Sequence, residues 1–317
     1  SSDVCSSDLV KSGSTERLGQ KNAMMALALH MDPSLRGDEK WSKMFQDEPR
    51  LTIREVTNES QLVFALMTPQ ACETILLHEG EYNLSHFITF TDLQIVGLGE
   101  GAVLKVKEAF TIFSRIYFDN IALPKGNTGL VCATKDAAIH MNHCEISGGS
   151  STCEEYPECN GGPGCIAASL GKPTCNRSGK FGDVSAQSGF VGCPGVCVNK
   201  SSALIENCSV HDCGGGGILV AGEGSQSHVI KSEVYKNHQA GLEARDGGKL
   251  VAMGNRIFSG RFHGILIGPN AGECNIDGNK IFENASEGIY ADRNESKIAI
   301  CNNDIHHNGP FGISLEI

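Results

Sequence analysis

The sequence contains no run of eighteen apolar residues, so no α-helical membrane span can be drawn in it. Aromatic residues are scarce, at 6% with a single Trp, while glycine is plentiful at 38 residues. That balance suits a turn-rich all-β fold better than a helical one. Positive charge is also short, since 26 Lys and Arg face 37 Asp and Glu, for a formal net charge of −11. The deficit argues against a nucleic-acid or anionic-membrane surface, where a basic patch is expected. The fourteen cysteines do not reveal the compartment, because secreted disulfides and buried cytosolic thiols both fit them. It stays open, with cytoplasm or nucleus placed ahead of secretion.

What is present is repetition. Gly217-Ile218-Leu219-Val220, Gly241-Leu242-Glu243-Ala244, Gly264-Ile265-Leu266-Ile267, Gly288-Ile289-Tyr290-Ala291 and Gly312-Ile313-Ser314-Leu315 begin 24, 23, 24 and 24 residues apart. A second phrase keeps the same period at Ser209-Val210, Glu233-Val234, Arg256-Ile257, Lys280-Ile281 and Asp304-Ile305. A third burst appears at Ala203-Leu204-Ile205, Val229-Ile230, Leu250-Val251, Asn275-Ile276 and Ile298-Ala299-Ile300. Three short β-rich strands per period, joined by Gly and Asn corners, describe a coil of a single-stranded parallel β-helix. Right-handed connections are expected, with about 24 residues per coil and coils ~4.8 Å apart. Ile218, Leu242, Ile265, Ile289 and Ile313 then form one interior column.

Polar positions repeat as well. Cys208, Ser232, Asn255, Asn279 and Asn303 share one register. Asn237, Asn284 and Asn308 share another, with Cys213 and Gly260 as substitutes. A structural role is expected for both, because Asn tolerates left-handed corners and stacked amides can bond along the solenoid axis.

Residues 1–9 read as a non-native segment and are set aside. Residues 10–70 are expected to form a helical N-terminal region and cap, with helices over Glu16–His30, from Asp38 to Phe45 and over Glu59–Met67, and a strand at Leu51–Val56. A cap is needed because a first coil otherwise exposes its core and an unpaired edge. Residues 71–317 form the β-helix, interrupted at 147–195 by a Gly-, Ser-, Pro- and Cys-rich insertion that should project from one corner. Cys144-Glu145-Ile146 matches the second phrase 64 residues before Cys208-Ser209-Val210. The chain stops directly after a core strand, and it reads as a fragment truncated at both ends.

The opening Ile75-Leu76-Leu77-His78-Glu79-Gly80-Glu81-Tyr82, with Leu93-Gln94-Ile95-Val96-Gly97-Leu98-Gly99 and Val103-Leu104-Lys105-Val106, resembles the first coils of the pectin-lyase-like superfamily. The coil Asn279-Lys280-Ile281-Phe282-Glu283-Asn284-Ala285-Ser286-Glu287-Gly288-Ile289-Tyr290 is similar to those of F-box-only ubiquitin-ligase adaptors and Shc-binding spindle and midbody proteins. The resemblance covers roughly residues 50–146 and 197–317, and no F-box is recognisable in the first fifty residues. It implies a non-enzymatic recognition module that binds a protein partner, serving in one version as the substrate receptor of a ubiquitin ligase. The alternative is a carbohydrate-active enzyme (lyase, hydrolase or epimerase) or a carbohydrate-binding β-helix.

Catalytic segments of the superfamily's enzymes are missing: Asn-Thr-Asp, Asp-Asp, Gly-His-Gly, Arg-Ile-Lys and Asp-Pro-His-Asp do not occur. Phe262-His263-Gly264 only echoes the third. Asp246, Asp277, Asp292 and Asp304 fall in different registers, so stacking should not gather them for calcium. One column combines carboxylate, amine and imidazole, namely Asp212, Lys236, Ser259, Glu283 and His307, with His211 and His306 beside it. Acid–base work is its functional reading and a solvated corner of alternating charge its structural one. Cys193, Cys197, Cys208 and Cys213 offer four thiolates to zinc, at spacings looser than most structural sites show. No cofactor is expected from these patterns, although zinc and calcium remain open.

Overall fold

A computed structural model describes residues 53–70, 73–99, 101–125, 130–132, 137–148, 194–292 and 297–316. All of them belong to the compact unit Thr52–Ile317. The helices expected at Glu16–His30 and Asp38–Phe45, the segment 1–9 and most of the insertion lie outside the described residues.

Those residues form an all-β parallel solenoid of about nine turns with about 23 residues per turn and very little helix. Ten strands stack in order as a first face, from Ile53–Val56 to Ile298–Cys301. A second sheet of sixteen strands supplies the other two faces, because its long strand Ala102–Ile112 runs through a corner and pairs onward at both ends. The second face descends to Asp304–His306 and the third to Ile313–Leu315. The period is slightly shorter than the repeats alone suggest. Cross-coil bonds join residues 23 apart in the early coils, as in Asn142 to Asp119, and 24 apart in later ones, as in Asn255 to Asn279.

Packing follows the columns. Ile218, Leu242, Ile265 and Ile289 pair rung to rung and are each 0% exposed, while Ile313 in the last described coil is 43% exposed. Burying each such side chain contributes about 1.5–3 kcal/mol. At the other end, the helix Glu59–Met67 presents buried Leu62 and Ala65 to the same core as Val56 and Ile75. Asn58 caps it by accepting from the Gln61 amide at 3.0 Å, and Gln61 accepts from the Thr57 amide at 2.8 Å. These reciprocal bonds fix where the helix starts.

Two corners of each coil share one device. Asn207, Lys231, Gly254, Gly278 and Asn302 are left-handed, with φ between 49° and 66°, and each precedes a member of the first polar column. Asp212, Lys236, Ser259, Glu283 and His307 are left-handed too, with φ of 50–56°, and each precedes a member of the second. The turn aims the following side chain inward and along the axis. Asn279 Oδ1 then accepts from the Asn255 amide and from Asn255 Nδ2, both at 2.9 Å, while its own Nδ2 donates to Ala252 O at 2.9 Å. Asn308 serves Asn284 in the same way, at 3.1 and 2.9 Å. The ladders therefore satisfy backbone amides that no strand reaches.

Candidate functional site

The column that combines carboxylate, amine and imidazole is this second left-handed corner. Asp212, Lys236, Glu283 and His307 are exposed on four separate coils. The bonds within it are marginal or local: Ser259 Oγ to Glu283 Oε2 at 3.4 Å, Asp212 to His211 at 2.8 Å, and His307 to His306 at 2.7 Å. His211 and His306 end a feature that the sequence reading overlooked. His211, Tyr235, Phe258, Phe282 and His306 stack as one ladder, with centroids 4.7–5.3 Å apart and planes within 15°. They fill the third position of the second phrase in every coil, which is the signal that could have revealed them. Neighbouring rings cover each other's faces, so the ladder offers mainly edges to a ligand.

The proposed thiolate set is not assembled. Cys193 lies outside the described residues. Cys197 packs outward with Leu219, Ala221 and Phe113 on the third face. Cys208 stands in the first corner column and donates to Glu206 O at 3.0 Å, whereas Cys213 sits at the second corner and donates to His211 O at 3.5 Å. Corners on opposite edges of one face cannot share a metal ion with the outside of another. Among the described residues no group of three or more His, Cys, Asp or Glu side chains is gathered for one.

The third face collects ionisable groups instead. Its outward column runs Leu219, Glu243, Leu266, Tyr290 and Ser314. His263 and Glu287 occupy the residue before the repeated glycine in successive coils. His263 Nδ1 lies 2.8 Å from Glu287 Oε2, with the two side chains only 6% and 13% exposed. Tyr290 stacks on the imidazole at 4.9 Å and 14°, and Phe262, tilted by 57°, lies 3.9 Å from it. Ser286 Oγ donates to Glu287 Oε2 at 2.6 Å. One coil back, Arg245 Nε lies 3.5 Å from Glu243 Oε1 and 3.9 Å from Asp246 Oδ2.

This environment pushes the proton affinities apart. Burial holds the His263 imidazole below its usual value, against the pull of Glu287. Partial burial of Glu287 acts upward, but Ser286, the backbone amide and His263 together hold its carboxyl below the ordinary range. Burial raises the Glu243 carboxyl despite Arg245. Tyr290 is raised by burial and by its bond to Glu316. A neutral imidazole 2.8 Å from an ionised carboxylate, beside a protonated phenol and on the same face as a carboxyl of raised proton affinity, is equipment for proton transfer.

The first face holds a related group. His140 Nε2 lies 3.1 Å from Glu206 Oε2, and its ring meets the neighbouring Tyr117 edge-on at 4.8 Å. His140 is 1% exposed, and its Nδ1 is buried without a hydrogen-bond partner among the described residues. Tyr117 is raised by burial and by the charge of Asp119, and its hydroxyl joins an Asp119–Asn142 network in which Asn142 Nδ2 donates to Asp119 at 3.1 Å.

Comparison with known proteins speaks to the fold. Residues 188–317 match the family model described as "Right handed beta helix region". No curated protein matches the chain. Among solved structures it is similar to the A-module of mannuronan C-5 epimerase AlgE6 from Azotobacter vinelandii, at 11% identity and TM-score 0.43, over 79% of this chain and 71% of that one. Pectate lyase Pel9A gives 13% identity and TM-score 0.44, over 83% and 81%. The surface adhesin PfbA of Streptococcus pneumoniae gives 10% and 0.40, over 79% and 86%. At these identities nothing beyond fold transfers, and no likeness to an F-box adaptor is shown. The strand order, together with the family match, makes the chain a right-handed parallel β-helix.

Proposed function

We propose that this protein is a carbohydrate-active β-helix whose third face performs general acid–base chemistry centred on His263. The observation that carries the reading is the His263, Glu287 and Tyr290 cluster on the third face, where Glu243 and Arg245 stand further along the same outward column, with proton affinities displaced in opposite directions. His263 is the general base. Glu287 orients it and steadies the imidazolium as it forms, while Tyr290 or Glu243 returns a proton. Because Glu287 is engaged by the imidazole, it acts through His263. That arrangement suits proton abstraction next to a sugar carboxyl, as in a lyase or epimerase, better than hydrolysis by two independent carboxylates. A face running along the solenoid also suits a linear polymer laid across several coils. The test is incubation with pectate, alginate and neutral glycans, followed by assay for unsaturated ends, reducing ends and inverted C-5 centres. Turnover by the wild-type chain that His263→Ala abolishes supports the reading, and absence of both turnover and binding across the panel contradicts it.

A protein-recognition role has its own supporting observation. The ladder from His211 to His306 crosses five coils of the second face, half-exposed and flanked by the charged corner column. Tyr and Phe so displayed can anchor a protein partner, and in the narrower version that partner belongs to a ubiquitin ligase. Capture of a defined partner that Phe258→Ala weakens, with His263→Ala inert, would favour this role. Capture unaffected by Phe258→Ala and by deletion of 147–195 would remove both surfaces from it.

A further inference from the structure

We propose that Cys144 and Cys208 form an unassigned disulfide site joining neighbouring coils across the base of the long excursion between Gly148 and Val196. Glu145 pairs with Ser209 and Ile146 with Val210, so the preceding cysteines occupy one column on adjacent rungs. The Cys144 amide donates to Cys208 Sγ at 3.4 Å. Each thiol donates to the carbonyl two residues before it, Asn142 at 3.3 Å and Glu206 at 3.0 Å, so the two sulfurs point the same way. Adjacent rungs ~4.8 Å apart fall inside the Cα separation that a disulfide accepts, about 4.4–6.8 Å. Both residues are buried in the main core, at 2% and 3% exposure.

The place in the fold gives the pair its meaning. Further along this column Ser232, Asn255, Asn279 and Asn303 pass hydrogen bonds from rung to rung. Among the described residues the column becomes a sulfur pair where it passes from apolar Ile121 to the polar rungs, and there the step between rungs lengthens from 23–24 residues to 64. A bond at this point closes that loop in the unfolded chain, where a cross-link constrains the ensemble most. The column thus trades a polar ladder for a covalent one at the coil whose closure costs most entropy.

The oxidant is a low-molecular-weight disulfide such as glutathione disulfide. One cysteine, as thiolate, attacks a sulfur of the oxidant and expels one thiol, leaving a mixed disulfide. The second cysteine then attacks the protein sulfur of that intermediate and expels the other thiol. The protein loses two protons and two electrons, and the oxidant becomes two thiols. Burial raises the Cys208 thiol, making it a weak nucleophile once the coil has closed. The bond therefore forms during folding and is shielded afterwards.

Refolding the full chain in a glutathione redox buffer, alkylating it under denaturing conditions and digesting it without reductant tests the site. The expected result is a joined pair of peptides containing Cys144 and Cys208. Cys208→Ser, which repeats the residue already present at Ser232 on the next rung, should fold, lose the joined pair and leave Cys144 alkylated. Thermal unfolding should shift to lower temperature on reduction, by less in the variant than in the wild-type chain. Recovery of both cysteines as free thiols, or joined to other cysteines, in chain with the β-sheet signature of the fold overturns the proposal. Should refolding fail, the same map is made on chain produced in an oxidising compartment. Free Cys144 and Cys208 there overturn it equally.

Discussion

Two outer faces of this solenoid carry the same three residue types, and they use them differently. On the first face His140, Glu206 and Tyr117 are knitted into neighbouring strands, and the phenol belongs to an Asp119–Asn142 network. On the third face His263, Glu287 and Tyr290 share an outward face with a second ion pair, Glu243 and Arg245, two rungs from Tyr290 with Leu266 between. The histidine of the first group sits mid-strand, with its ring among strand neighbours. That of the third sits at a corner, before Gly264, where the chain has room to bring in side chains from several coils. Composition alone therefore does not make a site. The first trio reads as a staple between coils and the third as chemistry.

The largest expected effect separates the two directly. His140→Ala should cost about 2–4 kcal/mol, because it opens a cavity under Tyr117 and strips Glu206 of its partner. His263→Ala removes a side chain that is 5% exposed and paired with Glu287, and should also cost about 2–3 kcal/mol, but unlike His140→Ala it should lower the turnover of the folded chain about 100-fold or more. Denaturant unfolding and glycan assays on both variants check this, and equal turnover by their folded fractions would erase the distinction. Next in size are the tyrosines. Tyr117→Phe should lose about 1 kcal/mol of stability with the contacts its hydroxyl makes to Asp119 and Asn142, whereas Tyr290→Phe should lose about tenfold in turnover and little stability.

The pH response sharpens the contrast. The folded His263 sits below its usual 6.5, so the unfolded chain takes up the proton first as pH falls. Stability should drop between 6.5 and the lower folded value, and His263→Ala should abolish that drop. Glu243 acts in the opposite direction. Its folded carboxyl keeps a proton above the usual 4.5, so its contribution is present at low pH and lost as pH rises through the folded value. In turnover, the acid limb of kcat/KM should lie below 6.5. The smallest effect comes from the corner column. Glu283→Gly relieves a left-handed φ of 56° but loosens the unfolded chain, so stability should move by less than about 1 kcal/mol and turnover not at all. A collapse of turnover there would return the column to candidacy.

The fold was legible because stacking writes itself into sequence as a period. The Gly-Ile phrase located the interior column of Ile218 to Ile289, and the expected helix Glu59–Met67 formed with those bounds. Asn255, Asn279 and Asn303 were readable as a ladder for the same reason. The candidate site was harder to see, because its groups come from two registers whose side chains lean toward each other. Glu243 and Tyr290 interrupt a column that holds Leu at 219 and 266, and His263 and Glu287 precede the repeated glycine in successive coils. Reading each register alone keeps those four apart. Side-chain reach across a corner joins His263, Glu287 and Tyr290, and no period encodes it.

Turnover of a uronan panel by the wild-type chain, His263→Ala and His140→Ala, each confirmed as folded at the assay temperature, tests the central claim most directly. The account predicts a product from the wild-type chain, its loss in His263→Ala and its retention in whatever fraction of His140→Ala stays folded. No product from the wild-type chain, or unchanged product from His263→Ala, would contradict it.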